Sequence, residues 1–300
     1  MRGDFVASIL EFDMFLFWQD LQSSNLLFYA LATGVLASVA CGVVGTLVSI
    51  RHITYIAGAI AHCTLGGMGV ARYLQKVVGI DWLSPLVGAT IAALLAAVVI
   101  GLVTAYAEER VDTVLSAVWS VGMAIGLVFI SRTPGYNEDL MSYLFGNILM
   151  VSLDDLYLVA ALDVVILLIC VLCYNRLLAL CFDEEFAWLR GINVRAYDML
   201  LLCLTAVTVV LLTQVVGIIM VIAMLALPAA AAGQFTRRLA GMMIAAVALS
   251  ILCTVTGLVI SYEPEFPAGA TIILTATVVY GLAVAGRLFV RKRYRDVGTR

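Results

Sequence analysis

The stretch SPLVGATIAALLAAVVIGLVTAY, residues 84–106, holds no charged side chain in 23 positions. As a helix it rises about 35 Å at 1.5 Å per residue, enough to cross the roughly 30 Å hydrocarbon core of a bilayer. A soluble domain has few places to bury a helix that is apolar all round. The rest of the chain agrees. Of 300 residues, 64% are hydrophobic and 12% charged, and the mean hydropathy is +1.10. Soluble domains carry roughly 45–50% apolar and about 25% charged residues. Lipid must therefore be the solvent for most of this chain. That excludes a soluble enzyme, a disordered chain and a secreted disulfide scaffold.

Working outward, nine stretches have the length and apolarity of a span: 26–50, 53–72, 84–106, 111–131, 156–181, 196–213, 216–234, 239–261 and 268–289. The Gln214–Gly217 connection decides between eight spans and nine. The expected fold is all-α, a polytopic integral membrane bundle of 8–9 transmembrane helices. Lys and Arg set its orientation. With the N-terminus outside, thirteen basic residues fall on the cytoplasmic side and four outside, and the C-terminus is cytoplasmic. Residues 1–25 are apolar but interrupted by Glu11, Asp13 and Asp20, which suits an amphipathic segment on the outer face better than a further span. Those acids, with Asp4, also argue against a cleavable signal peptide. Residues 26–290 form the transmembrane domain and 291–300 a basic cytoplasmic tail. The seven Cys lie within apolar runs or at the end of one, as free thiols packing like small hydrophobes. Cys170 and Cys173 have no second pair to complete a zinc knuckle. No internal repeat is evident, so an inverted-repeat carrier gains no support.

The longest cytoplasmic segment, 182–193, reads FDEEFAWLRGIN. Asp183, Glu184 and Glu185 stand at its start and Arg190 near its end, an order that suits the dipole of a short helix. Gly191 is a plausible stop. Phe182, Phe186 and Leu189 recur at helical spacing, giving an apolar face. Such a helix is either a surface connector or a docking element for a cytoplasmic partner.

This run resembles the coupling segment of permeases from the zinc/manganese class of ABC importers. Three other stretches resemble that family in the same order: YIAGAIAHCTLGGMGVA at 55–71, PGYNEDLMSYLFGNILMVS at 134–152 and GIIMVIAMLALPAAAAGQFT at 217–236. The resemblance covers roughly residues 30 to 290. It implies a multi-pass protein of the bacterial cytoplasmic (inner) membrane that is a transport permease and not itself an enzyme. It implies a second permease chain, as homodimer or heterodimer, cytoplasmic ATP-binding subunits, and a metal-binding protein docked outside. No nucleic acid is implied. No cofactor would be permanently bound, and a divalent metal would be the cargo. One observation fits independently. The chain has no G-x-x-x-x-G-K-[ST] loop to cradle phosphate, so ATP would have to be hydrolysed by another polypeptide. Coupling to it would run through Asp183, Glu184, Glu185 and Gly191.

Ionisable groups inside lipid are costly and mark function. His62 lies about 14 Å into the second span, and Asp163 about 12 Å into the fifth from the outer side. Both are candidates for a metal pathway, because imidazole and carboxylate both bind divalent metals. Each also has a plainer reading. His62 could be a core histidine bonded to a carbonyl, and Asp163 could bond a Ser or Thr on a neighbouring helix. Many members of the resembled family carry Asp four residues before the His, in a GDAxxH pattern; here that position is Gly58. The missing carboxylate weakens the case for manganese and favours zinc, with manganese or iron as alternatives. Glu138 and Asp139 lead a set of acids expected on the outer side, either a vestibule that gathers cations or an ordinary wet rim. A secondary carrier driven by ion gradients would need several membrane carboxylates, and Asp163 is nearly alone. An intramembrane zinc protease would need H-E-x-x-H, which is absent.

Overall fold

A computed structural model describes residues 25–106, 111–134, 151–236, 238–262 and 266–297. Among them the chain is helix and turn, without strand. The helices are α1 Asn25–Ile50, α2 Thr54–Tyr73, α3 Pro85–Tyr106, α4 Val111–Ser131, α5 Leu153–Leu172, α6 Tyr174–Phe182, α7 Glu184–Leu189, α8 Val194–Val216, α9 Ile218–Ala232, α10 Leu239–Tyr262 and α11 Ala268–Val297. Seven of them, α1, α3, α4, α5, α8, α10 and α11, are long and apolar enough to cross a membrane. The protein is a polytopic helical membrane bundle.

Each of the nine expected spans has a helix, with four differences. The stretch expected as one span over 156–181 is two helices that part at Cys173, where the backbone leaves helical geometry (φ −97°, ψ 5°). Tyr174, Asn175 and Arg176 follow the break directly, a short polar interruption that averaging hydropathy over 156–181 smooths away. α9 is only 15 residues long and holds Pro228 within it. Gly217, at φ +83°, separates it from α8 by one residue. α11 runs on to Val297, past the expected end at 289, because Arg and Lys are good helix formers that leave lipid without leaving the helix. Finally, α2 is not among the seven. Four Gly, two Thr, His62 and Arg72 dilute its apolarity, and most of its residues are buried by protein. A helix wrapped in other helices does not need an oily surface.

The chain divides into two compact units. One comprises residues 1–46, 147–163 and 223–300; the other comprises 47–146 and 164–222. In the first, α10 and α11 form a helical hairpin tied by the Thr271 hydroxyl, which donates to the Gly257 carbonyl at 2.9 Å. α1 lies against α10, where the Ser38 and Thr254 hydroxyls meet at 3.0 Å. α9 and α10 share a small apolar cluster of Ala229, Ala232 and Ala246 with Met242 and Leu249.

In the second unit α2 is the central helix, packed on α3 and α4, and α8 covers α3 and α2. Glycines set the spacing. A methyl group added to Gly66 would fall 2.7 Å from the Gly122 carbonyl oxygen, and one on Gly69 would fall 2.7 Å from that of Gly126. On the other side, Gly67 and Gly88 leave no room for a methyl on either. Small residues let backbones approach closely in lipid, where dispersion and weak contacts replace the hydrophobic effect as the cause of helix association. The tight seat of α2 fixes where His62 sits.

Candidate functional site

His62 is at the ninth position of α2, near its middle, and is half-buried. Its Nδ1 lies 2.7 Å from the carbonyl oxygen of Gly58, one turn back. A carbonyl can only accept, so the proton of the neutral ring is on Nδ1 and the Nε2 lone pair becomes the ligating atom. The ring stacks on Trp119 of α4, with centroids 4.3 Å apart and planes 28° from parallel. Two neighbours thus fix the imidazole: a hydrogen bond sets its tautomer and an indole sets its plane. Such outer contacts orient histidine ligands in metal sites generally. The carbonyl bond of the plainer reading is present, and it leaves Nε2 to act. Cys63 does not share the site. Its thiol donates to the Val118 carbonyl at 3.1 Å, and Met68 is buried.

Gly58 itself is buried, and its missing side chain would meet only the Ile222 methyl at 3.8 Å. A Cβ would fit here without a clash; the residue supplies no carboxylate. Among the described residues no three His, Cys, Asp or Glu side chains are grouped closely enough to hold a metal ion.

Asp163 is at mid-length of α5, 3% exposed, and both carboxylate oxygens lack a hydrogen-bond partner among the described residues. No Ser or Thr among the described residues bonds it. A buried carboxylate without donors is a costly group that a cation would neutralise. Asp163 belongs to one compact unit and His62 to the other. Glu138 and Asp139 lie outside the described residues, as does the N-terminal segment to residue 24.

The 182–193 segment folds as the single-turn helix α7. Asp183 caps it: its side chain accepts from the Phe186 N–H at 3.0 Å. Glu184 and Glu185 occupy the first turn, where the helix dipole favours acids. Gly191, at φ +74°, ends it. Phe182 does not extend its apolar face, because Asp183 is extended and separates α6 from α7. Instead Phe182, Phe186, Trp188 and Leu189 are all exposed, a patch unusual for a helix so short and so acidic at its start. Beside it is an open cavity of about 960 Å³, lined by Arg51, Tyr55, Glu184, Trp188, Arg195 and Asp198 among others.

Arg51 and Asp198 carry part of this end, a pairing of residues 147 positions apart that no local pattern signals. The Arg51 guanidinium is 2.5 Å from Glu184 and 2.8 Å from Asp198. Burial alone lowers the Arg51 pKa, but the two facing carboxylates outweigh it and raise the pKa, so the charge is secure. Trp119 was also missed. An apolar Trp in an apolar span looks like any lipid-facing residue, and only its depth, matching that of His62, hints at a partner.

Comparison with known proteins places this geometry in context. A family model described as the ABC 3 transport family matches residues 23–287. A relative from Chlamydia pneumoniae, named "Probable metal transport system membrane protein", is 43% identical over 258 residues, covering 86% of each chain. A Listeria monocytogenes relative, the manganese transport system membrane protein MntC, is 32% identical over 284 residues, covering 93% of this chain and 98% of its own. Among solved structures, PsaBC from Streptococcus pneumoniae in complex with Fab superposes with a TM-score of 0.80 at 30% identity, covering 90% of this chain and 95% of that one.

Proposed function

The chain belongs to the ABC 3 transport family, and on that premise we propose that it is the membrane permease of an ATP-driven importer of divalent transition-metal ions. The similarity over 284 residues to a protein named as a manganese transport membrane protein is the observation that carries this reading. In this reading the chain hydrolyses no ATP; separate ATPase subunits do so on the cytoplasmic face, a second permease chain completes the pathway, and an extracytoplasmic binding protein delivers the metal. The exposed aromatic patch and acidic first turn of α7 supply the ATPase docking surface. The end that holds Arg51, Arg190 and Arg195 then faces the cytoplasm, in line with the positive-inside rule.

Metal passes His62. The imidazole offers Nε2 as one ligand in a fixed orientation, and Asp163, in the other compact unit, is a separate candidate for meeting the cation. One nitrogen without a full cage suits a cargo that must leave again. Manganese is the first metal to test, since the relatives named for a metal in the comparison are manganese systems. Zinc is the second, because Gly58 leaves the imidazole without the oxygen partner that manganese prefers.

Uptake of radioactive manganese and zinc, in competition, into proteoliposomes holding the permease and its ATPase, with the binding protein supplied, tests both. His62→Ala should lower uptake by about tenfold or more while membrane insertion and ATPase binding persist. Unchanged uptake would reduce His62 to a packing residue, and ATP-independent uptake would overturn the importer reading.

A further inference from the structure

The turn between α1 and α2 is short and fully hydrogen-bonded. The Ile53 N–H donates to the Val48 carbonyl at 3.0 Å, and the His52 N–H to that of Ser49 at 3.2 Å. Such a turn has little slack. What moves Arg51 moves the start of α2 at Thr54, and α2 carries His62 two turns further on.

Arg51 is gripped from three sides within its own unit. One guanidinium nitrogen donates to the Leu180 carbonyl near the end of α6 at 3.2 Å and pairs with Glu184 in the first turn of α7. The other donates to Asp198 in α8 at 2.8 Å. The side chain is 17% exposed, whereas Glu184 is 53% exposed. A planar fork can bind two carboxylates and a carbonyl at once, and a lysine ammonium cannot reproduce that geometry. The buried side of the cluster is anchored in α6 and α8. Its exposed edge is the acidic start of the docking segment.

We propose that Arg51 is a positioning residue that transmits movement of α7 to the helix bearing His62. The proposal rests on the ATPase-docking reading of α7. A pull on α7 displaces Glu184, Glu184 shifts the guanidinium, and the taut turn passes the shift to α2. The readout is therefore metal imported per ATP hydrolysed, because a residue that merely stabilises the bundle lowers both together.

The experiment uses the full permease with its ATPase subunits in proteoliposomes, the binding protein supplied outside, with manganese and zinc as the probes. Arg51→Gln should lower the metal-to-ATP ratio by roughly two- to thirtyfold. Arg51→Lys, which keeps the charge and loses the fork, should recover part of the loss. An unchanged ratio in Arg51→Gln overturns the proposal. Should that variant fail to assemble, Glu184→Gln is read in the same way, and a wild-type ratio there overturns it equally. If the wild-type proteoliposomes import no metal on adding ATP, the docking reading falls and takes this one with it; wild-type import with an unmoved Arg51→Gln ratio removes the role of Arg51 alone.

Discussion

Two turns in the same unit close with the same pair of hydrogen bonds and put different residues at the same left-handed position. After α1, Ile53 bonds back to Val48 and His52 to Ser49, with His52 at φ +56°. After α7, Ile192 bonds back to Ala187 at 3.1 Å and Gly191 to Trp188 at 2.9 Å, with Gly191 at φ +74°. Both are glycine-type helix stops of the Schellman kind. Glycine adopts that backbone freely, while a residue with a Cβ gives up roughly 1–2 kcal/mol. The difference lies in what surrounds each turn. The first joins two long helices, and its Arg51 is pinned by three oxygens, so tertiary contacts hold the strained residue. The second ends a short helix that is tied to Arg51 at its start through Glu184, but around Gly191 itself there is open space. Glycine sits where the chain has only local support, and histidine where neighbours impose the shape.

Breaking the unsupported turn should have the largest effect. A Cβ at Gly191 would meet nothing within 4 Å, so the penalty there is one of backbone conformation alone. Gly191→Val should destabilise the segment by about 2 kcal/mol, read as a lower melting temperature in detergent and weaker ATPase binding. A variant with wild-type melting would mean that α7 tolerates either backbone hand. Next comes the other end of the same helix. Asp183→Ala removes the cap on Phe186 and should lower stability by about 1 kcal/mol, seen as faster hydrogen exchange at the Phe186 amide. The smallest effect belongs to the supported turn. His52→Gly relieves the left-handed strain but adds freedom to the unfolded chain, for a net gain of about 0.5 kcal/mol. A loss instead would show that the exposed imidazole has a contact of its own.

The membrane bundle was legible because lipid imposes long apolar runs, and nine of them stand out by eye. What hydropathy misread are places where apolarity and helix geometry part company. Cys173 interrupts a helix beside Asn175 and Arg176, a polar step too short to split the apolar run around it, and Arg291 to Arg295 continue a helix beyond such a run. α2 is the borderline case: legible as a span at 53–72, it is less apolar than the seven because protein surrounds it. At the candidate site, His62, Asp163 and the cap of α7 could be read locally, from one residue type at one depth or from positions a turn apart. Trp119, Arg51 and Asp198 could not. Their roles exist only between helices far apart in sequence, and a single chain carries no sign of which faces meet.

The glycine faces of α2 have a mechanical meaning. Side chains that interlock make two helices behave like meshed gears, which must lift apart before one can advance. Gly66, Gly67 and Gly69 present bare backbone to α3 and α4. With few teeth at these three points, what resists sliding of the rod is its larger contacts, His62 on Trp119 and Tyr73 on Phe129.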